Sequence, residues 1–366
     1  MTISSIIHCL HNWANPSLQE SYDNAGLICG NPNQQVTRIL VCLDATEAVV
    51  DEAIRKNAEL IVAHHPIVFK GLKRFTGNSY VEKTLIKAIK NDIAIFAIHT
   101  NLDNIESGVN AEIANRLGIV NPRILSPKNQ LLYKLAVFVP KQNADNLANA
   151  MFLAGAGRIG NYDRASFRSE GIGSFRPGPK ANPHLGKVGT TEYVEELKLE
   201  MLVEKHLLNS VINAMIQNHP YEEVAYDYWE LENAHAQIGS GMIGELPSEM
   251  PLLSFLTLLK EKFNLQMAKY TGNPNKMVKK VAFCGGSGSF LIPYALKQNA
   301  DLFLSADFKY HEFFDAEDKM TIVDMGHYES EQFTVDLIMR KLQAQCDGIE
   351  ILPTEMNTNP VSYFLG

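Results

Sequence analysis

The sequence predicts an α/β protein: an outer domain of two related strand–helix halves with a mainly parallel sheet, interrupted by a smaller α+β domain. Three observations carry this. Strands alternate with helices over residues 39–117, the same alternation returns over 278–342, and the stretch between them has a different rhythm. A chain of 366 residues also exceeds what one core normally fills, so two domains are expected.

The elements follow in order. The apolar run 39–43 is a buried strand, and Thr46 caps the helix that follows over 47–56. Leu60-Ile61-Val62-Ala63 is the next strand, closed by His64-His65-Pro66 because proline cannot donate to a ladder. A loop with Gly71 and Gly77 leads to a helix over 80–90, a third strand over 93–98 and a third helix over 109–117. In the second half, 278–284, 302–305 and 321–325 read as strands, with helices over 290–298 and 331–342. Each half thus offers strand, helix, strand, excursion, strand, the pattern of a parallel sheet covered on both faces.

The middle departs from this. A strand over 131–139 meets Pro140, and a helix covers 144–153. Residues 158–175 are punctuated by glycine and read as a strand pair. Residues 197–203 alternate apolar with charged, the mark of a half-buried strand. An amphipathic helix over 207–217 and a strand over 224–229 complete the order βαββαβ, the ferredoxin-like plan. With junctions at Ser126-Pro127 and Leu246-Pro247, the expected division is a discontinuous domain, 1–125 plus 247–366, and an insertion, 126–246.

Composition narrows the classes. A formal net charge of -8 argues against a broad nucleic-acid footprint. The five cysteines are odd in number, widely spaced and never CxxC, so neither a disulfide framework nor a thiolate zinc site is expected. A reducing cytoplasm suits them. The first twelve residues lack the basic and apolar regions of a signal peptide, and no apolar run is long enough to span a bilayer, so no membrane partner is expected.

Chemistry gathers at strand ends. His64 and His65 end one apolar run, His99-Thr100-Asn101-Leu102-Asp103 follows another, and His327-Tyr328-Glu329-Ser330-Glu331 follows a third. Ligands of open α/β sheets collect at such carboxyl ends. Adjacent histidines on a strand point to opposite sides, so His64 and His65 could each serve one of two neighbouring metals. His327 and Glu331, four apart, share a face if a helix starts near Gly326, and Glu331 is the candidate to bridge two ions. His64, His65, Asp103, His327 and Glu331 therefore form one divided site. Imidazole and carboxylate donors suit two divalent ions, zinc first, then manganese, iron or nickel, and fit a calcium cage poorly.

Other residues are read more narrowly. His99 is a partner orienting a ligand or a proton shuttle, or equally a satisfied core histidine; His311 reads as a second shuttle with Lys309 an anion contact, or both simply open a solvated helix. Asp44 ends the first strand and reads first as a helix cap, second as the partner of a ligand imidazole. Gly285, Gly286, Ser287 and Gly288 link a strand to a helix and could cradle phosphate on backbone N–H groups. A tight turn explains them equally well. Asp23 and Asn24, in Tyr22-Asp23-Asn24-Ala25-Gly26-Leu27, could orient substrate or ligands.

Taken together, Tyr22-Asp23-Asn24-x-Gly26-Leu27, Ala63-His64-His65-Pro66, His99-Thr100-Asn101-Leu102-Asp103, Ser305-x-x-x-Lys309-Tyr310-His311 and Gly326-His327-x-x-x-Glu331 resemble the Nif-three-like (Ngg-interacting factor) family. Its bacterial members carry the description GTP cyclohydrolase I type 2 homologue. The resemblance implies a dinuclear centre on the five ligands above and a ring-shaped homohexamer with sites facing an interior cavity. It also implies an insertion similar to the PII/CutA trimeric proteins. The function expected is metal-dependent hydrolysis of a nucleotide or related heterocycle. In the GTP case, attack on the guanine imidazole ring would release formate. The alternative is a non-enzymatic metal-binding or regulatory ring whose insertion senses a small ligand or partner. A DNA-binding ring is disfavoured by the acidic balance.

Overall fold

The computed structural model describes residues 1–364. The chain forms two compact units, Met1–Ser126 together with the chain from Gln237, and Pro127–Ala236. The strands up to the second unit are β1 (Gly26–Cys29), β2 (Arg38–Asp44), β3 (Leu60–His65), β4 (Ala94–Ala97) and β5 (Val120–Pro127). The second unit holds β6 (Leu132–Pro140), β7 (Phe167–Phe175), β8 (Glu192–Glu204) and β9 (Tyr226–Leu231). Then come β10 (Gly239–Pro251), β11 (Lys269–Tyr270), β12 (Met277–Ser287), β13 (Leu302–Ala306), β14 (Thr321–Asp324) and β15 (Glu350–Pro353).

The first unit carries two sheets, of order β1-β4-β3-β2-β15 and β11-β14-β13-β12-β10-β5. In the first, β15, β2, β3 and β4 run parallel and β1 pairs antiparallel with β4. In the second, β12, β13 and β14 are parallel, while β10 and β11 pair antiparallel with β12 and β14. The expected mainly parallel sheet is thus two sheets with parallel centres and antiparallel members beside them. The centres are the continuous apolar runs the sequence displayed. Strands such as β4 and β13 are buried throughout, as a sheet covered on both faces requires. Large buried side chains fill the cores, among them Phe255, Phe263 and Phe283 under the second sheet.

Local signals placed several elements within a residue. The helix Glu47–Lys56 is capped by Thr46, whose hydroxyl accepts from the Val49 N–H at 3.4 Å. The helices Tyr80–Lys90 and Val109–Leu117 also match expectation. Strand β3 continues through both histidines before Pro66 ends it. The helix expected over 331–342 is instead two pieces, His327–Glu331 and Thr334–Gln343, so His327 opens a helix of its own. The helix expected over 290–298 is a 3-10 turn, Ser289–Leu291, followed by Ile292–Lys297, with proline near its start.

The helices Ile3–Trp13 and Leu252–Phe263 and strands β1, β5, β10 and β15 had no clear sequence signal. β10 reads Gly-Ser-Gly-Met-Ile-Gly-Glu-Leu-Pro-Ser-Glu-Met-Pro, poor in β-branched residues. It runs through Leu246-Pro247, where a junction was expected, with a register shift between Glu245 and Met250. No helix among the described residues is long and apolar enough to cross a membrane.

Glu52 ties the segment after β15 to the first unit. Its side chain is 0% exposed and meets Lys56 Nζ at 2.7 Å. It accepts from the Thr354 hydroxyl at 2.5 Å and the Glu355 N–H at 2.9 Å. Burial alone would raise its pKa, but the Lys56 and Thr354 contacts outweigh burial and hold it below the usual glutamate value. Glu52→Gln should therefore cost about 1–3 kcal/mol at neutral pH. The carboxylate's advantage exists above the unfolded pKa and is lost as pH falls through the lowered one. Thermal midpoints of the two proteins should converge on acidification.

The second unit has a four-stranded sheet of order β7-β8-β6-β9, antiparallel at each pairing. The helices Ala144–Leu153 and Leu208–Asn218 pack through Leu147, Met151, Val211 and Met215 onto Leu135, Val137, Leu199 and Met201. The strand pair expected over 158–175 is β7 alone, preceded by one isolated bridge between Ile159 and Tyr162. Gly160 at φ +56° turns the chain there, which ends any extended run.

Candidate metal centre

Five strands deliver the site, β2, β3 and β4 from the parallel centre of one sheet and β13 and β14 from that of the other. β2 ends at Asp44, which lies opposite His65 at the end of β3. His99 follows β4, and Asp307 and His327 follow β13 and β14. Each imidazole is held at Nδ1. His64 Nδ1 lies 2.8 Å from the Ile98 carbonyl, His65 Nδ1 2.8 Å from Asp44 Oδ1, His99 Nδ1 2.8 Å from Asp23 Oδ1, and His327 Nδ1 2.6 Å from Asp307 Oδ2. Fixing Nδ1 aims Nε2 and settles the tautomer, the arrangement found around ligating histidines.

Glu331 sits where they converge, its side chain 4% exposed. Its Oε2 is 2.9 Å from His65 Nε2 and 3.1 Å from His327 Nε2, and its Oε1 is 4.0 Å from His64 Nε2. His64 Nε2 is 3.5 Å from Asp103 Oδ1. Three groups have ligand atoms within 4.8 Å of one another: His65, His327 and Glu331; His64, Asp103 and Glu331; and His64, His65 and His99. His64 Nε2 and Asp103 Oδ1 are both buried with no hydrogen-bond partner. An orphaned buried nitrogen facing an orphaned carboxylate oxygen is costly unless a cation completes the pair, so the donor set fits a divalent ion.

The electrostatics agree. Burial pushes His64 down to about 3, leaving its Nε2 lone pair free at neutral pH. Burial and then Glu331 push Asp103 up to about 7. His65 and His327 go the other way. Burial would lower both, but Asp44 and Glu331 hold His65 at about 10, and Glu331 and Asp307 hold His327 at about 11. Asp23, despite burial, is held at about 2 by its bonds to His99 and Thr100.

Asp23 and Asn24 are engaged within the protein. Asp23 Oδ2 also accepts from the Thr100 N–H at 3.0 Å, and Asn24 Nδ2 donates to the Val68 carbonyl at 2.7 Å. Asp44 is an imidazole partner and Thr46 the helix cap, reversing the order in which the sequence ranked Asp44's roles. Nothing local marked Asp307 as the partner of His327.

Two N–H groups of the glycine loop are engaged within the protein. The N–H groups of Gly285 and Gly286 donate to Asn110 Oδ1 at 3.0 Å and Ser330 Oγ at 2.9 Å, so they are not free to cradle phosphate. Gly286 has φ +60°, and a Cβ there would fall 2.4 Å from Glu331 Oε1. A Cβ on Gly288 would fall 2.4 Å from Ser305 Oγ. Close approach to Glu331 and Ser305 accounts for these glycines. Ser287 Oγ donates to Asp307 at 2.5 Å and so supports the His327 partner. His311 lies on the 3-10 helix Tyr310–Ala316 with its ring against Tyr310 and Phe314, and it belongs to none of the three groups of converging ligand atoms among the described residues. Lys309 is exposed at that helix's start.

The model of the Duf34/NIF3 (NGG1p interacting factor 3) family matches residues 1–360. The chain belongs to this family. A Bacillus subtilis relative described as "GTP cyclohydrolase 1 type 2 homolog" is 40% identical over 93% of each chain. A Halalkalibacterium halodurans protein of the same description is 38% identical over 98% of each. Among solved structures, a Bacillus cereus protein related to NIF3 superposes with a TM-score of 0.87 at 36% identity, covering 100% of this chain and 99% of that one. This NIF3-family chain thus shares its mixed α/β fold with proteins of known structure.

Proposed function

We propose that the chain is a metal-dependent hydrolase with a dinuclear centre. His64, Asp103 and Glu331 would hold one divalent ion and His65, His327 and Glu331 the other, with zinc the first candidate and manganese, iron or nickel the alternatives. The observation that carries the reading is Glu331, which presents one carboxylate oxygen to each group. When bound, such ions lower the pKa of a coordinated water and polarise the bond attacked.

The chain's residues supply the rest. Asp44, Asp307 and the Ile98 carbonyl keep three imidazoles oriented. His99, braced by Asp23, would carry a proton at its other nitrogen. The substrate class is a nucleotide or related heterocycle, in keeping with the description of the curated relatives. For the second unit the reading is an inserted ferredoxin-like domain of the PII/CutA kind, supported by its βαββαβ order with β8 and β6 central in the sheet. The assembly proposed is a homohexamer.

Metal analysis tests the core of this. Protein purified without a tag and reloaded with zinc or manganese should carry about two ions per chain. A protein that takes up neither metal would leave the histidines a structural role only. Removing an orienting partner is a finer test. Asp44→Asn and Asp307→Asn should each weaken metal affinity about 10–100-fold, read by competition with a chromophoric chelator. Affinity unchanged in both would mean the two aspartates do not act through the imidazoles.

A further inference from the structure

A cavity of about 510 Å³ opens beside His65 and His327, within the range of small-molecule sites. Its walls are unbalanced in charge. Asp44, Asp307, Asp324 and Glu329 line it against one lysine, Lys269. That lysine is already paired with Asp324 at 2.9 Å. Asp44 and Asp307 are occupied with His65 and His327.

Glu329 has no such occupation. It is 8% exposed, and no ion pair reaches it among the described residues. Its Oε1 accepts from Asn359 Nδ2 at 3.1 Å and from the Tyr363 hydroxyl at 3.2 Å, while Oε2 carries no hydrogen bond among the described residues. Buried carboxylates are ordinarily paired with a cation. One kept without a cation, braced on one oxygen and open on the other at a cavity wall, suits donors that arrive with a ligand. Tyr328 and Met267 add aromatic and polarisable surface to the same wall.

We propose that this cavity binds an uncharged planar heterocycle bearing an exocyclic amino group, with its N–H donors on Glu329 and no phosphate tail. The inference rests on the metal-centre reading above, because the ring would lie beside that centre. Charge excludes the tail. Asp103 and Glu331 offset half the charge of two divalent ions. The four wall carboxylates outweigh the remainder plus Lys269, so a triphosphate meets no net positive field.

The test is calorimetric titration of the metal-loaded full chain with guanosine, inosine and GTP, the last as its magnesium complex, with metal content measured on the same samples. Inosine lacks the exocyclic amine. Guanosine should saturate, and inosine and GTP should each bind at least about tenfold more weakly. Glu329→Gln should keep its metal and lose at least about tenfold in guanosine affinity. Tyr363→Phe, which removes one brace, should lose less. GTP binding as tightly as guanosine, unchanged affinity in Glu329→Gln, or no saturable guanosine binding would each overturn the inference. Absence of metal from the native protein would instead overturn the metal-centre reading, so the two failures are distinguishable.

Discussion

Glu331→Ala should lose both metal ions at once, whereas His327→Ala and Asp103→Ala should each lose one. The expectation follows from the sharing of ligands. Glu331 belongs to both carboxylate-containing groups, His327 to only one of them and Asp103 to the other. Elemental analysis after reloading should therefore read about two ions in the native chain, about one in each single-site variant and close to none in Glu331→Ala. The metal-free protein should suffer as well. Glu331 lies between His65 and His327, which it helps to hold in the charged form. Removing one partner of a buried charge group costs about 3–5 kcal/mol, so the thermal midpoint of metal-free Glu331→Ala should fall clearly below that of the native apo-protein. A variant that retained one full equivalent of metal would show that Glu331 does not bridge.

Gly286→Ala should be strongly damaging although it replaces none of the proposed ligands. The residue holds a left-handed conformation, which costs a side-chain-bearing residue about 1–2 kcal/mol. The added Cβ would lie 2.4 Å from Glu331 Oε1, closer than Cβ atoms sit to non-bonded neighbours, and 3.2 Å from His327 Cε1, a tight contact. Overpacking of that kind adds about 1–3 kcal/mol. The combined loss, about 2–5 kcal/mol, should appear in denaturant unfolding together with weakened metal binding, because the displaced atoms belong to two of the proposed ligands. Gly71→Ala, at a glycine whose Cβ would meet nothing within 4 Å, is the control and should change neither.

The elements read most accurately from sequence were those with a self-contained local signal. Thr46 before an amphipathic stretch placed the helix Glu47–Lys56, and a continuous apolar run closed by Pro66 placed β3. β10 and β15 escaped because their stability comes from pairing with β12 and β2, distant in the chain, and their composition carries no strand signal of its own. The glycine loop was left open between a phosphate cradle and a tight turn for a related reason. A run of glycines reports that something approaches the backbone closely, but only the fold shows that the neighbours are Glu331 and Ser305, with no free N–H left on Gly285 or Gly286 for a phosphate.

By itself, then, the sequence determined the strand ends that carry imidazole and carboxylate, the helical spacing of His327 and Glu331, and the family to which they belong. Each of these is a property of a few adjacent residues. The tertiary structure alone decided that Asp44, Asp23 and Asp307 brace the imidazoles, that the His311 ring packs on Tyr310 and Phe314, and that Glu329 is buried with no ion pair among the described residues. Those facts depend on pairings such as His65 with Glu331, 266 positions apart, and no local pattern of residue types encodes which distant group will fill the space beside a side chain.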